Sequence, residues 1–87
     1  MRVGFRAAGS ADAGARVAYA IPRPVGPAVV RNRLRRRLRA IFVEIDRSAR
    51  ALPAGDYLVR VRPGASDLSF DELRHHLAEA IDEFSND

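Results

Sequence analysis

The sequence predicts one small α+β domain, a two-layer α/β sandwich in which a small mixed sheet carries two helices on one face. Three short segments alternate apolar with polar or small residues, as strands with one buried side do. Two longer segments repeat apolar residues at the helical spacing of three and four, and the order along the chain is β-β-α-β-α. The chain has 87 residues, and 47% of them are hydrophobic. We therefore expect residues 1–87 to form a single domain with one modest core.

The first two strands are predicted near the start of the chain. Residues 1–6 alternate apolar side chains with arginine or glycine. Residues 16–21 alternate again, with Tyr19 on the apolar side and Arg16 on the other. The small residues 7–14 between them are typical of a loop. We therefore expect the first strand to be the arm of a hairpin.

A long helix is predicted over residues 27–51. Gly26 followed by Pro27 is typical of a helix start, and Pro53 disfavours helical backbone at the residue before it. The apolar residues of this segment fall on one side of a helical wheel, and that side is expected to be core. They are Val30, Leu34, Leu38, Ile41, Ile45 and Leu52.

A third strand and a second helix complete the prediction. Residues 56–62 alternate and end at Pro63 and Gly64. Ser69 and Glu72 form the S-x-x-E pattern of a capping box, which predicts the start of the second helix. The apolar side of that helix comprises Leu73, Leu77, Ile81 and Phe84. Because the long helix joins the second and third strands, those strands are expected to be parallel.

The outer side of the long helix is strongly basic. Residues 31–39 contain six arginines, and no acidic residue occurs between Val29 and Val43. Asn32, Arg36 and Arg39 point away from the apolar side. Arg33 and Arg35 lie to either side of them, while Arg31 and Arg37 flank the buried edge. Arginine binds phosphate oxygens with two parallel hydrogen bonds, so this surface is predicted to bind nucleic acid.

The same sequence argues against several kinds of site. All 15 basic residues are arginine, which excludes mechanisms that need a lysine amine, and the absence of cysteine excludes a thiolate metal site. His75 and His76 are adjacent, whereas two metal ligands on one helix need a spacing of three or four. The carboxylates form no recognisable catalytic pair. We expect no catalytic residue and no metal bound by the protein itself, no membrane segment, and a cytoplasmic location.

The stretch VGPAVVRNRLRRRLRAIF resembles the signature of the bacterial ribonuclease P protein component. The resemblance extends from about residue 15 to residue 84, through the strand YLVRVRP and the helix LSFDELRHHL. Two positions depart from the family pattern, since Pro24 replaces a basic residue and Pro27 a polar or basic one. The residues that match the motif are Arg31, Asn32, Arg33, Arg35, Arg36 and Arg39, with Arg23 upstream.

The resemblance implies an RNA-binding protein subunit that assists a catalytic RNA in removing the 5′ leader of precursor tRNA. The partners it implies are the ribonuclease P catalytic RNA, which holds the Mg²⁺ ions for hydrolysis, and precursor tRNA; no protein partner is expected. The matching residues are then RNA contacts, and Tyr19 with Arg16 are candidates for the cleft that holds the leader. The family fold further implies a left-handed βαβ crossover, and relative to that family the chain is expected to lack an N-terminal helix and a first strand.

An alternative function belongs to a different class. The chain could be a basic, non-catalytic RNA-binding module, ribosome-associated or generic, or a truncated fragment without independent activity. A DNA-binding protein is less favoured, because a surface so uniformly rich in arginine offers few side chains that discriminate between bases. Reconstitution with a catalytic RNA and precursor tRNA separates these alternatives.

Overall fold

A computed structural model describes residues 1–9, 14–47 and 52–85, and it confirms the predicted order of strands and helices. Short 3₁₀ turns at Arg23–Val25 and Ala65–Asp67 precede the two helices. The predicted C-terminal turn of the long helix, residues 48–51, lies outside the described residues. The elements are β1 (Arg2–Ala7), β2 (Ala15–Ala20), α1 (Ala28–Arg47), β3 (Gly55–Arg60) and α2 (Phe70–Ser85).

The sheet has the order β1-β3-β2, with β3 antiparallel to β1 and parallel to β2. The mixed sheet and the parallel pair are as predicted, but the predicted hairpin is wrong because β1 does not pair with β2. Strand β3 lies between them and carries Tyr57 and Val59, which are only 2% and 0% exposed. A strand with such buried side chains is favoured at the centre of a sheet, where neighbours cover it on both sides.

The central strand begins at a residue that has to be glycine. Gly55 lies opposite Ala7 of β1, and a Cβ atom there would lie 2.3 Å from the carbonyl oxygen of Arg6. Glycine thus permits the close pairing of β1 and β3. At its other end β3 stops at Arg60, two residues before the predicted end, although the Val61 N–H still donates to the carbonyl of Ala20 at 2.9 Å.

Both helices pack on one face of the sheet and enclose a single core, as predicted. Leu34, Leu38 and Ile41 of α1 are buried, whereas Val30, Ile45 and Leu52 at the ends of the predicted stripe are half-buried. The buried residues of α2 are Leu73, Leu77 and Ile81. The side chain of Phe84 lies outside the described set. The handedness of the β2–α1–β3 crossover stays a prediction.

Phe42 is a core residue that the predicted apolar stripe missed. It is 4% exposed, and its ring centroid lies 6.2 Å from that of Tyr19 and 6.0 Å from that of Tyr57, edge-on in both cases. Phe42 adjoins Ile41 on the helix and widens the buried side toward β2. A wide buried side is normal for a helix that packs on a sheet.

The start of α2 has the predicted capping box. The Ser69 hydroxyl accepts a hydrogen bond from the Glu72 N–H at 3.1 Å, and the Glu72 carboxylate accepts one from the Ser69 N–H at 3.0 Å. Two backbone donors at the start of the helix are thereby satisfied. Within the described ranges, neither helix combines the length and hydropathy needed to cross a bilayer.

Candidate nucleic-acid interface

The basic surface begins at the first turn of α1, where one arginine is tied to the backbone. The Arg31 N–H donates to the carbonyl of Pro27 at 3.0 Å, so the helix begins one residue later than predicted. The Arg31 Nε donates to the carbonyl of Gly26 at 3.1 Å, and the side chain is half-buried. Arg31 therefore holds the turn before α1, which leaves its terminal guanidinium nitrogens to contact a ligand.

An open groove runs along the outer side of α1. It has a volume of about 560 Å³, and we call it the arginine groove. The Asn32 Oδ1 accepts a hydrogen bond from Arg35 Nη1 at 3.0 Å, which orients that guanidinium along the helix. The groove is lined by Val29, Asn32, Arg35, Arg36 and Arg39. Four of the seven predicted RNA contacts are thus brought together, while Arg33 and Arg23 are exposed without lining the groove and Arg31 holds the turn before the helix.

Among the described residues, no counter-charge lies beside the positive charge of the groove. No acidic residue lines it, and within the described part of the chain none of its three arginines forms an ion pair. Like charges spaced three or four residues apart on a helix destabilise it by a few tenths of a kcal/mol per pair. A polyanion bound in the groove would relieve this repulsion, which makes the groove a suitable phosphate-binding surface.

A second basic surface lies on the face of the sheet away from the helices, and we call it the open sheet face. The strand register places Arg2 opposite Arg60, with Ala20 beside them. It likewise places Arg6 opposite Asp56, with Arg16 on the other side. Between these two rows lies a strip of Gly4, Leu58 and Ala18. All four arginines of this face are exposed.

The sequence analysis did not predict this second basic surface. It also placed Arg16 and Tyr19 together in one cleft, which the structure contradicts. Arg16 belongs to the open sheet face, where its Nε lies 3.1 Å from Asp56 Oδ1. Tyr19 is half-buried on the opposite side of β2 and faces the helices. Arg16 and Tyr19 therefore cannot line one cleft. The alternation of β2 already assigns them to opposite sides, but the cluster of Arg2, Arg6 and Arg60 needs the register of all three strands.

Tyr19 instead lines a cleft between α1 and β2, which we call the α1–β2 cleft. Its volume is about 260 Å³, and its lining includes Phe42, Val43 and Asp46 in addition to Arg39. Burial raises the pKa of Tyr19, and the nearby Arg39 guanidinium partly offsets this. The phenol is therefore protonated near neutral pH and can donate a hydrogen bond.

The described histidines and carboxylates do not converge on a common centre. In the described residues, no group of three or more His, Cys, Asp or Glu side chains is arranged to hold a metal ion. His75 lies 3.1 Å from Glu79 on the exposed side of α2. The Arg74 guanidinium bonds Asp71 and lies 3.5 Å from Glu44, which joins the two helices. These side chains form pairwise contacts on the surface of the fold.

Comparison with known proteins relates the chain to ribonuclease P. The family model for ribonuclease P matches residues 2–85, a range that includes β1. The chain is 44% identical over 66 residues to the ribonuclease P protein component of Shouchella clausii, covering 76% of this chain and 52% of that protein. It is 42% identical over 71 residues to that of Thermobifida fusca, covering 80% and 46%. The chain therefore spans about half the length of these curated relatives.

Solved structures agree with this relationship. The RNase P protein of Thermotoga maritima, in complex with 1-(4-fluorophenyl)-2-thiourea, aligns with a TM-score of 0.76 at 28% identity, covering 91% of this chain and 74% of that one. A mutant of the Staphylococcus aureus RNase P protein with defective mRNA degradation activity aligns at 0.78, covering 95% and 67%. Its 21% identity shows a shared fold alone. With the family model matched over nearly the whole chain, this protein belongs to the ribonuclease P protein component family.

Proposed function

We propose that this chain is the RNA-binding protein subunit of a ribonuclease P and assists a catalytic RNA in removing the 5′ leader of precursor tRNA. The observation that carries the proposal is the arginine groove of α1. Asn32, Arg35, Arg36 and Arg39 match the family motif, and they line one exposed groove without an acidic partner in it. Motif and geometry therefore both support these four residues as contacts with RNA.

In this proposal the groove binds the phosphates of the catalytic RNA. Arg36 and Arg39 are exposed and lie one turn apart, so each can pair with a separate phosphate. Arg35 is held by Asn32, which lowers the entropy lost when its guanidinium binds. Mg²⁺ ions bound by the catalytic RNA supply the chemistry of phosphodiester hydrolysis. The protein contributes positive charge that allows RNA segments to approach one another.

We assign the single-stranded leader to the open sheet face. Arg2 and Arg60 lie at one end of this face and Arg6 at the other, four residues away along β1, or about 13 Å. The strip of Gly4 and Ala18 around Leu58 is low enough for an extended strand to lie between the two rows. Arg16 contributes less, because Asp56 neutralises it. We place this processing of precursor tRNA in the cytoplasm, where a bacterium transcribes its tRNA.

Reconstitution tests the proposal. Wild-type protein is mixed with a bacterial ribonuclease P RNA and labelled precursor tRNA, at a Mg²⁺ concentration where the RNA alone is slow. We expect faster cleavage at the mature 5′ end, and we expect the paired change Arg35→Ala and Arg36→Ala to lose most of this stimulation. Protein incubated with precursor tRNA and Mg²⁺ alone should leave the substrate intact.

Two results would contradict the proposal. One is an absence of stimulation by folded wild-type protein with every RNA tested, which would favour a generic RNA-binding module. The other is cleavage by the protein alone that disappears after substitution of His75 or His76.

The leader assignment has its own test in the reconstituted enzyme. Arg2→Ala with Arg60→Ala should weaken binding of precursor tRNA and leave that of mature tRNA unchanged.

A further inference from the structure

The α1–β2 cleft is an apolar opening that the proposed phosphate contacts do not use. Its floor is Phe42, a buried ring that packs edge-on against Tyr19. Its outer wall is Val43, which is 45% exposed. In the described residues only Val29 and Val43 are large apolar side chains with this degree of exposure. An exposed valine beside an aromatic floor is suited to contact a flat apolar ligand.

The cleft is continuous with the arginine groove, because Arg39 lines both. On α1, residues Asn32, Arg36, Arg39, Val43 and Asp46 succeed one another at spacings of four or three and form one stripe. Val43 lies one turn beyond Arg39, and Asp46 one turn beyond Val43. An RNA backbone that follows the groove therefore passes the mouth of the cleft.

The charged side chains at the two ends of the cleft suit the phosphate and the base of one nucleotide. Arg39 supplies a cation at the end nearest the groove, where a phosphate would lie. Asp46 supplies a carboxylate at the far end, and its Oδ1 already accepts a hydrogen bond from the Leu52 N–H at 3.4 Å. A carboxylate repels phosphate but accepts hydrogen bonds from the amino group of a base. The Tyr19 hydroxyl has no hydrogen-bond partner within the described residues, so it is free to donate.

We infer that the α1–β2 cleft binds one unpaired nucleotide of the RNA held by the arginine groove, with its base between Tyr19 and Val43 and its phosphate on Arg39. This inference rests on the proposed function for the groove. A base that carries an amino group, such as cytosine, is preferred because Asp46 faces its edge. A second copy of this chain is a poorer occupant, since it would bring another arginine surface against the first.

The test compares two RNA hairpins that differ by a single bulged cytidine. Wild-type protein should bind the bulged hairpin between about 5-fold and 150-fold more tightly, which is the range expected for stacking of one base. Val43→Ser should reduce this ratio to near 1 while leaving affinity for the paired hairpin unchanged. Ala40→Ser is the matched control, because Ala40 is exposed on the same helix and lines neither the cleft nor the arginine groove. It should preserve the ratio.

Further outcomes separate this inference from the proposed function. Replacing the bulged cytidine with uridine should lower affinity several-fold, because uracil lacks the amino group that donates a hydrogen bond to Asp46. Equal binding of bulged and paired hairpins by wild-type protein would overturn the inference, even if reconstituted cleavage succeeds. A dimer in sedimentation experiments that Val43→Ser dissociates would overturn it as well, by assigning the cleft to a second copy. Failure of reconstituted cleavage with a preserved bulge preference would count against the ribonuclease P assignment alone.

Discussion

Helices α1 and α2 pack against the same sheet face with similar inner sides, yet their outer sides are opposite in charge and in construction. α2 starts with Asp71 and Glu72 in its first turn and with the capping box of Ser69. α1 has no acidic residue in its first turn and carries six arginines in residues 31–39. Acidic side chains near a helix start are stabilising, and clustered like charges are destabilising. The outer side of α2 supports its own helix, whereas that of α1 is arranged for a ligand.

The largest expected effect tests whether the two inner sides are equivalent. Leu38 of α1 and Leu77 of α2 are both 0% exposed. Leu38→Ala and Leu77→Ala should each lower the free energy of unfolding by about 2–5 kcal/mol, because each leaves a cavity in the same core. Urea denaturation followed by circular dichroism measures both. A cost below about 1 kcal/mol for either would show that its helix contributes less to the core than its burial implies.

The next prediction separates binding from stability on the outer side of α1. If about four phosphates contact the groove, the logarithm of RNA affinity should fall with the logarithm of salt concentration at a slope of roughly −3 to −4. Arg36→Ala with Arg39→Ala should flatten that slope by about one to two units. The free energy of unfolding should change by less than about 0.5 kcal/mol, since both side chains are exposed.

Arg47→Ala is the matched control for this double variant. Arg47 is exposed in the last turn of α1 and does not line the groove. Its removal should leave the salt slope near that of wild-type protein. A slope unchanged in the folded double variant would remove the arginine groove from the interface.

A smaller effect is expected at the start of α2. Ser69→Ala removes the hydroxyl that accepts from the Glu72 N–H and should lower the free energy of unfolding by about 1 kcal/mol. RNA affinity should be unaffected, because Ser69 caps the start of α2 and does not line the arginine groove. Ser66→Ala, at an exposed serine three residues earlier, should cost almost nothing. Similar costs for the two variants would mean that the capping box does not stabilise α2 in solution.

The smallest effect concerns acid sensitivity at the same capping box. Hydrogen bonds that the Glu72 carboxylate accepts from the Ser69 backbone N–H and from the Ser69 hydroxyl hold the pKa of Glu72 below its usual value. Since the pKa is lower in the folded state, the stabilisation is complete above the unfolded pKa of about 4.3 and is lost as the pH falls through the folded value. Glu72→Gln should therefore make unfolding less dependent on pH below about 4. Identical pH profiles for the variant and wild-type protein would contradict this.

The sequence by itself determined the features that depend on near neighbours along the chain. The arginine surface of α1, the buried positions Leu34 and Leu38, and the capping box at Ser69 all follow from spacings of three or four residues. Helical geometry converts such spacings directly into faces and hydrogen bonds. The positions of the strands followed in the same way from alternation. Their existence could therefore be predicted correctly, along with the parallel pair that a helical crossover allows.

Tertiary structure alone decided which strands are neighbours and what their faces assemble. Alternation shows that a strand has two sides, but the same pattern is compatible with several partners, so the predicted hairpin of β1 and β2 was wrong. With β3 between them, Arg2 and Arg60 come together on the open sheet face although 58 positions separate them in the chain. The α1–β2 cleft likewise needs Phe42 to pack across to Tyr19. These surfaces depend on contacts between distant segments, which are chosen by burial of the whole core and not by any local spacing.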